Sequence, residues 1–109
     1  MAGPALALGE FEQMVLLAVL CVARQEEAYG VSVHRELESR AERRVTRAAV
    51  YMTLDRLEKK GLLESRRSEP TSERGGRAKR CYTVTKPAMM ALRESRAALL
   101  RLWEGLAEP

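Results

Sequence analysis

Residues 14 to 23 read MVLLAVLCVA, ten positions without a charged or amide side chain. Glu10 and Glu12 precede the run and Arg24 closes it, the order a helix dipole favours. A helix of this composition is apolar on every side and must be covered all round. In a chain of 109 residues, which buries only a modest share of its surface, that requirement predicts a second copy of the chain against one side. Aromatic residues make up only 5%, so the core should be aliphatic.

Three more helices follow from periodicity. Over 29–41, Tyr29, Val33 and Leu37 recur on one face, with Ser32, His34, Arg35, Glu36 and Glu38 on the others. His34 stands alone on this polar side and reads as a surface residue. From Thr46 to Gly61, Thr46 is suited to cap a helix start and Gly61 to end it, with Val50, Leu54 and Leu57 as the apolar stripe. The opposite face carries Ala48, Met52, Asp55, Arg56 and Lys59, with Tyr51 on the flank. Thr85 can cap a last helix that has Pro87 in its first turn and runs through Leu106. Leu92, Leu99, Trp103 and Leu106 approach a seven-residue repeat there, interrupted at Ser95 and Arg96, and are predicted to form a dimerisation seam.

Between the third and fourth helices the period changes. LLESRR and RCYTVT read as short strands, the second with Tyr82 and Val84 alternating with Cys81, Thr83 and Thr85. Twelve residues, SEPTSERGGRAK, separate them, far beyond the usual hairpin loop of two to five. The charge is concentrated here. Residues 1–60 hold 9 basic and 9 acidic side chains, 61–86 hold 7 and 3, and 87–109 hold 3 and 3. The net charge of +4 therefore sits in one segment, which marks a docking surface for an anion.

Several functions are disfavoured. No glycine-rich loop joins a strand to a helix, no nucleophile has a framed His and acid, and no motif implies a cofactor. Cys21 and Cys81 lie sixty residues apart with one histidine in the chain, which argues for free thiols and against a metal site. No run reaches the roughly 18 apolar residues of a membrane span, and the start MAGPALALGE lacks a basic leader. The expected protein is not an enzyme, has no membrane contact and is cytoplasmic.

The order helix, helix, helix, hairpin, helix is that of a winged helix-turn-helix, mainly α with a small β-hairpin, plus a C-terminal dimerisation helix. We divide the chain into an arm at 1–8, a winged helix-turn-helix DNA-binding domain at 9–85 and the dimerisation helix at 86–109. In such modules the second helix of the motif enters the major groove of double-stranded DNA, its N-terminal residues meeting base edges. Thr46, Arg47, Ala48, Ala49, Tyr51, Met52 and Arg56 are the predicted recognition-helix contacts. The small alanines let the helix approach the groove floor and touch a thymine methyl. Arg47 suits a guanine or a phosphate, Tyr51 a phosphate. In the wing, Arg74, Arg77, Lys79 and Arg80 supply charge, while Gly75 and Gly76 let the backbone come close to a groove. The competing reading is a winged-helix module that docks protein without reading DNA. It would show an apolar or acidic third helix and a short neutral wing.

Four segments, LGEFEQMVLLAVL, AYGVSVHRELE, AAVYMTLDRLEKKGLLESR and GGRAKRCYTVT, occur in an order that resembles the PadR-like family of bacterial transcriptional regulators, over about residues 8–106. The resemblance implies a homodimeric winged-helix repressor on a pseudo-palindromic operator, paired through the C-terminal helix against the partner's first helix. It also implies, for some members, a small hydrophobic effector near the dimer interface. Trp103 is placed to line such a site, and its plainer reading is a dimer-core residue. The family's Thr-Pro-Ala-Gly entry to the last helix is here Thr85-Lys86-Pro87-Ala88, a departure that bears on the angle of that helix.

Overall fold

Four helices and one hairpin are laid out in a computed structural model, which describes residues 8–67 and 79–106. The chain runs α1 (Glu10–Ala23), α2 (Gly30–Ser39), α3 (Arg47–Lys59), β1 (Leu63–Arg67), β2 (Arg80–Val84) and α4 (Lys86–Trp103). The order is the expected one. Nearly all of the arm at 1–8 lies outside the described residues.

Local chemistry sets the ends of α3. The Ala49 N–H donates to Thr46 Oγ1 at 3.0 Å, satisfying one of the free donors of the first turn. At the other end Gly61 has φ +78, a conformation that side chains with a Cβ resist. The Leu62 N–H then returns to the Leu57 carbonyl at 2.9 Å and the Gly61 N–H to Glu58 at 3.0 Å. These two bonds close a Schellman turn. The turn sends Leu62 and Leu63 into the core and starts the wing.

Thr85 joins this turn to the last helix. Its hydroxyl donates to the Gly61 carbonyl at 2.9 Å and accepts from the Ala88 N–H at 3.4 Å. The start of α4 is thereby fixed to the end of α3.

The core is aliphatic. Val15, Leu16 and Val19 of α1 pack with Val33 and Leu37 of α2 and with Val50, Leu54 and Leu57 of α3. Leu62, Leu63 and Tyr82 close it from the hairpin side, and Ala88 and Leu92 from α4. Each buried Leu or Val contributes about 1.5–3 kcal/mol relative to exposure.

The hairpin pairs antiparallel, with Leu63 opposite Val84 and Arg67 opposite Arg80. Strict alternation is not what β2 shows, because Cys81 and Tyr82 are both buried. Tyr29 pairs with Cys81 as an isolated bridge and the Tyr82 N–H donates to the Ala28 carbonyl at 2.9 Å. The α1–α2 connection thus pairs along the outer edge of β2.

Three other expectations are corrected. His34 is largely covered: its Nε2 lies 2.8 Å from the Val45 carbonyl, tying α2 to the segment that leads into α3. Leu92 faces the chain's own core, because α4 lies on the domain for its first two turns. The fourth helix stops at Trp103: Glu104 already leaves the helical path with ψ 127, and Gly105 follows with φ +83. Leu106 therefore lies beyond the helix. Among the described residues no helix is long and apolar enough to cross a membrane.

Candidate nucleic-acid interface

The rotation of α3 follows from its buried stripe of Val50, Thr53, Leu54 and Leu57. Arg47, Ala48, Tyr51, Met52, Asp55, Arg56 and Lys59 are left exposed. Five of the seven predicted recognition-helix residues are therefore solvent-facing on α3, with Thr46 exposed at its cap and Ala49 half-buried beside it. Lys59 Nζ lies 3.2 Å from Asp55 Oδ2, which neutralises the one acid on this face.

Tyr51 is held by a contact that sequence reasoning missed. Its ring lies over Gly30 at the start of α2. A Cβ added there would fall 2.9 Å from Tyr51 Cδ1 and Cζ. Only glycine at position 30 lets the ring lie there, and no periodic signal points to it. Tyr29, Gly30, Tyr51, Lys79, Arg80 and Tyr82 border the resulting cleft of about 270 Å³, between α2, α3 and the base of the wing. The N-terminus of α2 opens at this cleft without a side-chain cap.

Charge at the wing base is largely matched. Arg80 Nη1 lies 3.3 Å from Glu58 Oε1 and donates to Ser65 Oγ at 3.4 Å. Arg66 pairs with Glu27, whose carboxylate also accepts the Tyr29 hydroxyl. The Tyr29 hydrogen bond, then that of Arg66, holds the Glu27 carboxyl below its ordinary range. Lys79 Nζ sits 5.5 Å from the centroid of the Tyr29 ring. Arg80, predicted as a wing cation, thus already has an acidic partner on α3. Arg74, Gly75, Gly76 and Arg77 lie outside the described residues.

A second missed feature links α1 to α3. Lys60 Nζ donates to Glu12 Oε2 at 2.7 Å and the Gly9 N–H donates to Glu12 Oε1 at 3.3 Å. Burial by itself pushes the Glu12 carboxyl up. The bonds from Lys60 and Gly9, with the charges of Lys60 and Arg56, outweigh it and hold the carboxyl below its ordinary value. In the sequence Glu12 stands out only as a dipole-favouring first-turn acid.

Two apolar surfaces lie elsewhere on the chain. Leu17 of α1 is 48% exposed beside a groove of about 350 Å³ bordered by Met14, Ala18, Cys21, Leu37 and Arg40. Beyond Ser95, whose hydroxyl donates to Gln13 at 2.9 Å, α4 carries Leu99, Leu100, Leu102 and Trp103, all more than half exposed.

Residues 19–94 match the Transcriptional regulator PadR-like family. Transcriptional regulator Rv3488 of Mycobacterium tuberculosis H37Rv is 39% identical over 94 residues, which span 85% of this chain and 83% of the relative. A PadR-like transcription factor of Bacteroides fragilis shares the fold with a TM-score of 0.71 at 24% identity, over 86% of this chain and 84% of its own. RosR of H. salinarum aligns with a TM-score of 0.69 at 26% identity, over 95% and 84% of the two chains. Its complex RosR-SG gives 0.68 at 27% identity, over 96% and 84%.

Proposed function

Because the chain belongs to the PadR-like family of transcriptional regulators, we propose that it is a homodimeric repressor that binds a pseudo-palindromic operator in double-stranded DNA, in the cytoplasm. The observation that carries this reading is the exposed face of α3, where Arg47, Ala48, Tyr51, Met52 and Arg56 project from a helix whose only outward acid is paired. In this reading α3 lies in the major groove and Arg47 reaches a guanine or a phosphate. Tyr51 and the open start of α2 face the phosphate backbone, which helix N-termini favour. The wing supplies sequence-independent affinity.

Dimerisation is supported by two exposed apolar surfaces that one chain leaves uncovered, the α1 groove with Leu17 and the outer α4 face with Leu99 and Trp103. Contiguous apolar surface of this kind marks an interaction site. Pairing these surfaces between two copies would set two α3 helices about one DNA turn apart, roughly 34–36 Å. A small hydrophobic effector would enter at the same interface, beside Trp103.

The test is a titration of promoter DNA at several salt concentrations. Replacing Arg77 with Ala in the wing should weaken binding and flatten the salt slope by about 0.9 for each phosphate that is no longer neutralised. Unchanged affinity and slope would remove the wing from the interface.

A further inference from the structure

We infer that the outward line of α3 reads thymine methyl groups, with Met52 as the main specificity-determining side chain. The inference rests on the DNA-binding reading above and deepens it. Opposite the buried stripe, the residues pointing straight out are, in order along the helix, Ala48, Met52, Asp55 and Lys59. The last two form an ion pair at 3.2 Å, so that half of the line carries no net charge. The first half, nearest the N-terminus that meets base edges, holds Ala48 and Met52 one turn apart. Neither side chain donates a hydrogen bond, and a thioether is a weak acceptor.

The major groove shows donors and acceptors on every base pair and one apolar group, the C5 methyl of thymine. Set against a polar edge, Ala48 and Met52 would strip water without replacing its hydrogen bonds, a net loss. Set against a thymine methyl, they bury apolar surface on apolar surface. Met52 is 62% exposed and extends further than Ala48, and its unbranched, polarisable chain adapts to such a contact. Arg47 and Arg56 lie to either side of the line, where guanine or phosphate contacts belong. The half-site should therefore contain a thymine opposite Met52 that is recognised by its methyl.

The experiment uses the full chain and a duplex selected for binding from random DNA. Each thymine is replaced in turn by deoxyuridine, which removes only the methyl, and affinity is read by fluorescence anisotropy. We expect one thymine per half-site whose replacement weakens binding about three- to fivefold per methyl removed. Met52→Ala should erase that thymine-to-uracil ratio, and Met52→Leu should keep it, with circular dichroism showing both variants folded. A ratio of one at every thymine, or an undiminished ratio in Met52→Ala, would overturn the inference. If selection enriches no duplex, the DNA-reading function falls and this inference with it.

Discussion

Lys60, directly after α3, donates to Glu12 in the first turn of α1 across 2.7 Å. Glu12 is 9% exposed but the Lys60 side chain is 37% exposed, so the bond is half-buried and partly screened by water. The pair ties the element that would read DNA to the element that would pair protomers. Replacing Lys60 with Met should lower stability by about 0.5–1.5 kcal/mol in chemical denaturation, since solvent reaches the lysine side of the pair.

The same pair sets a pH dependence. The Glu12 carboxyl is held below its ordinary 4.5, so its contribution is present above that value and lost as pH falls through the lowered native value. Thermal melts should show the chain more stable than Glu12→Gln by a constant margin at neutral pH. The margin should narrow below pH 4.5.

Gly30→Ala should displace the Tyr51 ring. The displaced ring is 40% exposed and can move toward solvent, so the stability cost should stay below about 1 kcal/mol while DNA affinity falls. Adding Tyr51→Ala relieves the clash, so the double variant should regain stability without regaining affinity. A positive coupling energy in the double-mutant cycle is the expected result.

Arg80 is partly neutralised by Glu58 at 3.3 Å. Glu58→Gln should free it for phosphate, steepening the salt slope by about 0.9 for each additional phosphate neutralised. Affinity for unrelated DNA should rise together with affinity for the operator.

The two leucines of the proposed seam should behave differently. Leu92 lies in the chain's own core, and Leu92→Ala should cost about 2–5 kcal/mol of stability. Leu99 is 52% exposed in one chain, and Leu99→Asp should shift the mass from dimer to monomer by light scattering while secondary structure persists.

What is legible in the sequence is local. The Thr46 and Thr85 caps, the Gly61 stop and the Val50–Leu54–Leu57 stripe each depend on residues within a few positions of one another. Periodicity also finds the apolar positions of α4. It does not say which surface covers each one, so Leu92 and Leu99 look alike although one is buried at home and the other exposed. Gly105 is in plain view, but a seven-residue spacing carries the helix past it to Leu106. The Tyr29–Cys81 bridge, the Gly30–Tyr51 contact and the Glu12–Lys60 bond join residues far apart in sequence. No one-dimensional pattern encodes such pairs. Arg80 counts as free charge in the sequence for the same reason, since Glu58 reaches it only after the wing folds back along α3.

The proposed arrangement is two copies of this chain on one DNA site. Selection of bound sequences from random duplexes, with the mass of the complex measured on the same sample, probes it without intermediaries. The expected outcome is an enriched pseudo-palindrome with half-site centres one helical turn apart, about 10–10.5 base pairs, and two chains per duplex. No enriched sequence, or a single chain on each duplex, would refute that arrangement.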